Sequence, residues 1–177
     1  MTSTPTLYLD MDGVVADWLA GATKIIGYEL SDPNAMYPQQ DWEKLKQAKR
    51  IFRTLPKTAR ADELVNIARQ FRSELDYTVM FLTAIPHNND MPWAFYDKVQ
   101  WAQEYYPDIP VMFGPYSQDK YRQCQPLDIL VDDRQDNCRS WRSVGGRAIL
   151  VDKLCNLDTA IEALLEILEK ECEARPR

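Results

Sequence analysis

The chain has 177 residues, a formal net charge of −6 and 45% hydrophobic residues, among them five Trp, nine Tyr and five Phe. That length suits one domain with a small insert, and the apolar share can fill a sizeable core. The acidic balance argues against nucleic acid as a partner, because sequence-independent binding needs Lys and Arg on phosphates, and no apolar run approaches the roughly 20 residues of a membrane span.

The first apolar run, residues 7–10, reads as a buried strand ending in Asp10-Met-Asp12-Gly13. Residues 18–26 read as a helix closed by Gly27, and residues 42–52 as another short one, with turns at Ser31-Asp-Pro-Asn and Tyr37-Pro38. Residues 16–59 therefore form a mainly helical insert, a cap over the end of a sheet. Residues 61–75 place Leu64, Ile67, Ala68 and Phe71 on one helical face; residues 92–106 do the same with Phe95, Val99, Ala102 and Tyr106. Strands are expected at 78–83, 111–113, 129–132 and 148–151, the last preceded by Gly145-Gly146, which ends a helix. A final helix, 157–168, carries Leu157, Ile161, Leu164, Leu165 and Leu168, with Asp158 at its N-cap or first turn. The charged tail from Glu171, with Pro176, is expected to fray. Strands alternating with helices predict an α/β fold, a parallel sheet with helices on both faces. Core residues are then 1–15 and 60–177.

Cys124, Cys138, Cys155 and Cys172 form no CxxC pair and no zinc-like spacing to His87, the single histidine, so they read as reduced thiols. The first residues, Met-Thr-Ser-Thr-Pro, hold neither the basic nor the apolar region of a secretory signal, and a cytoplasmic location is expected. Trp93, Trp101 and Trp141 read as packing groups and His87 as a loop residue.

Four segments carry chemistry. Asp10 and Asp12 follow a buried strand beside Gly13, where ligands of open α/β sheets bind. Asp10 can attack phosphorus, Asp12 can give and take a proton, and Gly13 lets the loop turn its N–H groups to a phosphate. The same Asp-x-Asp-Gly is also a good turn sequence. Thr83 ends the 78–83 strand and can donate to a phosphate oxygen, with the Ala84 N–H beside it. Lys120 can neutralise phosphate and hold Asp10 ionised, or can be an ordinary surface lysine. Asp132 and Asp133 end an apolar strand, where unpaired charge is costly and a hard cation relieves the cost. Asp132 is the stronger ligand candidate and Asp133 a supporting partner.

Taken together, Asp10/Asp12, Thr83, Lys120 and Asp132/Asp133 resemble the four motifs of the haloacid dehalogenase-like hydrolases, and Asp12 marks the phosphatases among them. The chain is most similar to the 5′(3′)-deoxyribonucleotidase family and its bacterial and phage relatives. The run Asp10–Trp18, Phe81-Leu-Thr83-Ala-Ile-Pro86, the Lys98-x-x-Trp101 helix, Asp119-Lys120 and Asp132-Asp-Arg-Gln-Asp136-Asn137 carry that likeness. Ala84 departs from the serine frequent there.

The resemblance implies a Rossmann-like three-layer core with strand order 5-4-1-2-3 and a helical cap after the first strand. It implies Mg²⁺ on Asp10, the Asp12 carbonyl and Asp132, and a nucleobase stacked on Trp18, a residue that could equally pack cap on core. The expected enzyme is a phosphomonoesterase for a (deoxy)nucleoside monophosphate; a homodimer is compatible with this. Open alternatives are another small phosphate ester, a nucleic-acid 3′-phosphate, or a non-catalytic protein that keeps the fold.

Overall fold

A computed structural model describes residues 4–30, 36–151 and 156–175. The Ser31-Asp-Pro-Asn turn, Cys155 and Pro176 lie outside the described residues. Five strands form one parallel sheet: β1 (Thr6–Leu9), β2 (Thr78–Thr83), β3 (Val111–Phe113), β4 (Ile129–Asp132) and β5 (Arg147–Leu150). Their order across the sheet is β3-β2-β1-β4-β5, the order the family resemblance implies.

The central strands are nearly continuous apolar runs because both sheet faces are covered. Side chains alternate between the faces. Leu7 and Leu9 join Phe81, Ile129 and Val131 in the larger core, which also takes Leu64 and Phe71 of α3 (Ala61–Leu75) and Ile161 and Leu164 of α6 (Asp158–Ala174). Tyr8, Leu82 and Leu130 face the other way, onto Trp141 of α5 (Gln135–Ser143). Trp141 meets Tyr8 edge-on at 5.3 Å between ring centres. The result is a three-layer Rossmann-like architecture.

Residues 16–59 hold α1 (Trp18–Ile26) and α2 (Gln39–Gln47). Asp17 caps α1 by accepting from the Ala20 N–H, and Gly27 closes it in the left-handed conformation at φ 89°. The two ends of this segment meet: the Asp17 N–H donates to Pro56 O at 2.8 Å, and the Thr58 hydroxyl to Val14 O at 2.6 Å. Leu55 O accepts from Trp101 Nε1 at 2.8 Å.

Three expectations need correction. The helix placed at 42–52 starts at Gln39, ends at Gln47 and is followed by a separate 3₁₀ turn, Ile51–Arg53; Arg50, at φ 68°, breaks the run. The inward face of α4 (Ala94–Tyr105) is Ala94, Asp97, Lys98, Trp101 and Ala102, while Phe95 is 38% exposed. Apolar periodicity missed this because two charged residues of α4 turn inward. The tail does not fray at Glu171. Helix α6 runs to Ala174, Glu171 pairs with Arg147 at 2.6 Å, and Arg175 donates to Leu75 O and Glu74 O. Those carbonyls lie at the C-terminal end of α3, where orphan acceptors need donors. No helix among the described residues is long and apolar enough to cross a membrane.

Candidate active site

Parallel pairing of β1 with both β2 and β4 aligns their carboxyl ends, bringing Asp10, Thr83 and Asp132 to one edge of the sheet. The Asp10 N–H extends the β1–β4 ladder by one bond, to Val131 O at 2.9 Å. One Asp10 carboxylate oxygen accepts from the Met11 N–H at 2.7 Å. Lys120, on the 3₁₀ segment Ser117–Gln123, is buried and reaches both Asp10 and Asp132 at 2.7 Å. Gly114 lets that segment approach, since a Cβ there would stand 3.2 Å from Lys120 Cγ and 2.6 Å from Tyr116 O.

Asp132 is fully buried and held from several sides. Its Oδ1 accepts from the Arg134 N–H at 2.8 Å, and Asn137 Nδ2 reaches its two oxygens at 3.0 and 3.1 Å. Asn137 sits in the first turn of α5, whose N-terminal dipole also favours the carboxylate.

Oxygens of Asp10, Asp132 and Asp133 all lie within 4.8 Å of one another. Asp133, read from sequence as a supporting partner, thus has a carboxylate in the same cluster. Its Oδ1 is buried and has no hydrogen-bond partner among the described residues. Three carboxylates face one lysine, so ionising all three would leave two negative charges unmatched. Burial pushes Asp10 up to about 6, against the pull of Lys120 and helped by Asp132 and Asp12. Burial, then the charges of Asp10 and Asp132, push Asp133 up to about 8. An all-oxygen, over-anionic cluster with an orphaned oxygen fits a hard divalent cation such as Mg²⁺.

Gly13 needs its identity. It sits at φ 79°, and a Cβ there would stand 2.5 Å from Asp133 Oδ2. Its N–H donates to Ala16 O at 2.8 Å.

Asp12 pairs with Lys98. Lys98 also donates to Thr83 Oγ1 at 2.9 Å and to Ala84 O at 2.7 Å. Neither Lys98 nor Asn137 was assigned a role from sequence, although both stand inside quoted motifs; charged or amide residues at inward helix positions were the available signal.

A cavity of about 830 Å³ opens beside these groups, lined by Asp10, Asp12, Thr83 and Lys120 at one end and by Trp18, Tyr37, Trp42 and Phe52 from the 16–59 segment. Trp18 stacks on Phe52 at 5.2 Å and meets Tyr37 edge-on at 6.4 Å. His87 stands at the same cavity, exposed, beside Tyr116.

The fold is shared with two solved hydrolases. One is a HAD hydrolase, family IA, variant 3, from Entamoeba histolytica, at 13% identity and TM-score 0.51, covering 96% of this chain and 100% of that one. The other is a hydrolase from Pseudomonas syringae, at 11% identity and TM-score 0.53, covering 98% and 100%. These likenesses define a haloacid dehalogenase-like fold, and no curated protein sequence matches the chain. The chain belongs to the family described as 5′ nucleotidase, deoxy (Pyrimidine), cytosolic type C protein, whose model matches residues 4–164. It is accordingly an enzyme of the phosphatase and nucleotidase kind.

Proposed function

We propose that this enzyme is a cytoplasmic, Mg²⁺-dependent phosphomonoesterase that hydrolyses (deoxy)nucleoside monophosphates through an aspartyl-phosphate on Asp10. The observation that carries the reading is the junction of a buried Asp10–Lys120–Asp132 bridge with an aromatic cavity. One half suits a phosphoryl group and the other a flat ring. The name of the family supports both the substrate class and the compartment.

Asp10, Asp132 and Asp133 would hold the metal, with the Asp12 carbonyl completing the protein's share. Bound Mg²⁺ supplies positive charge that offsets the carboxylates and the phosphate. Asp10 attacks phosphorus, forming its P–O bond as the bond to the leaving oxygen breaks. Asp12 gives that oxygen its proton, releasing the nucleoside. Water then attacks the same phosphorus, Asp12 takes its proton, and the bond to Asp10 breaks to give inorganic phosphate. Lys120, the Thr83 hydroxyl and the Ala84 N–H stabilise the charge on the non-bridging oxygens. Residues 16–59 act as the cap that excludes water, and Trp18, backed by Phe52, offers its ring to the base.

Turnover measured across deoxy- and ribonucleoside 5′- and 3′-monophosphates, sugar phosphates and a 3′-phosphorylated oligonucleotide tests the substrate class. Nucleotides should lead; a preference for sugar phosphates or for the oligonucleotide end would overturn it.

A second expectation concerns metal and pH together. Asp10 and Asp133 bind protons more tightly in the folded chain than at the ordinary carboxyl value of 3.8. The metal-free fold therefore loses stability as pH rises from that value through about 6 and about 8. Mg²⁺ reverses this by favouring the ionised carboxylates. The rise in melting temperature on adding Mg²⁺ should be larger at the alkaline end of this window than at the acidic end. An equal rise at both ends would argue against metal on these carboxylates. A chelator should abolish turnover, and returned Mg²⁺ should restore it.

A further inference from the structure

The contacts of Lys98 join three groups of the site through one buried ammonium. Its side chain is 2% exposed, and its ammonium has three acceptors: an Asp12 carboxylate oxygen, Thr83 Oγ1 at 2.9 Å and Ala84 O at 2.7 Å. An ammonium has three hydrogens, so these use it fully. We infer that Lys98 is a positioning residue for proton transfer, holding Asp12 by Oδ2 so that Oδ1 serves the leaving oxygen. The inference deepens the proposed function and rests on it.

Three features support this. First, Asp12 is the most exposed of the paired site acids, at 30%, and without Lys98 its side chain would have free rotamers to visit. Second, Thr83 Oγ1 accepts from Lys98, so its own hydrogen is directed elsewhere, available to a phosphate oxygen. One lysine thus sets both the acid and a phosphate donor. Third, Lys98 is itself fixed. It stands one turn from Trp101, which is bonded to Leu55 O, and the Phe52 ring covers its ammonium at 4.8 Å. Phe52 in turn stacks on Trp18, so the cap's aromatic wall and the proton donor share one anchor.

An acid matters when the leaving group is poor and hardly at all when it is good. Lys98→Met should therefore slow a deoxynucleoside monophosphate about 100-fold, the scale of a general acid. With 2,4-dinitrophenyl phosphate the first step needs no proton, so the same variant should still release a rapid burst of dinitrophenolate, less than about tenfold slower than wild type. A slow steady state should follow, because water activation also uses Asp12. Adding Lys98→Met to Asp12→Asn should cost far less than the product of the two single losses, since both act mainly through Asp12 and only the Thr83 contribution remains to be lost.

Lys98→Gln, which keeps a hydrogen-bond donor, covers the case in which the Met variant does not fold by circular dichroism; the same split between esters is expected. Equal slowing of the first step for both esters, or losses that multiply in the double variant, would overturn the inference. Failure of the underlying reading looks different: Asp10→Asn would then keep full turnover.

Discussion

Asp10→Asn should reduce phosphatase turnover by about 10⁴-fold or more, the scale expected when a nucleophile is lost. Asn matches Asp in shape and can still accept the Met11 N–H, so the loop should keep its form. The fold should survive, and in the metal-free state should be at least as stable as wild type. Asp10 is held ionised there against burial and against the neighbouring Asp132 and Asp12, a cost the neutral amide does not carry. The check is kcat on a nucleotide beside a thermal melt in chelator. Turnover near wild type would sink the nucleophile assignment; a collapsed melting temperature would show that Asp10 is primarily structural.

Lys120→Met should be the most destabilising substitution at the site. Burial pulls the ammonium's proton affinity down, but Asp10 and Asp132 push it back above its ordinary value. Removing one partner from a buried ionic cluster costs about 3–5 kcal/mol, because the other charges are left uncompensated. The methionine keeps most of the volume, so the loss is electrostatic rather than a cavity. Urea unfolding of metal-free protein should therefore show a smaller deficit near pH 5 than near pH 8, as the uncompensated buried carboxylate charge is titrated away. A deficit independent of pH would indicate lost packing. Saturating Mg²⁺ should restore part of the stability, since it offsets the same charges, while turnover stays low because the non-bridging phosphate oxygens lose the lysine's charged donor.

The local elements were legible. β2, β3 and β4 and helices α1 and α3 fall at the residues their patterns imply, because a run buried on both faces or an apolar stripe at helical spacing is a short-range signal. Asp10, Thr83 and Asp132 were visible as polar endings to apolar strands. The inward face of α4 was not, because apolar periodicity cannot register Asp97 and Lys98 as core positions. The split after α2 was missed for a related reason: Arg50 gives no glycine-like mark of its left-handed backbone.

The amino-acid order alone determined where the strands lie and which acids end them, since both depend on a few adjacent residues. Only the tertiary structure decided what those acids touch. Lys98 and Asp12 are 86 positions apart, and Lys120 and Asp132 meet because the chain returns β4 to the flank of β1. A buried charge is tolerated where its partner stands, and which distant segment supplies that partner is set by the packing of the whole sheet.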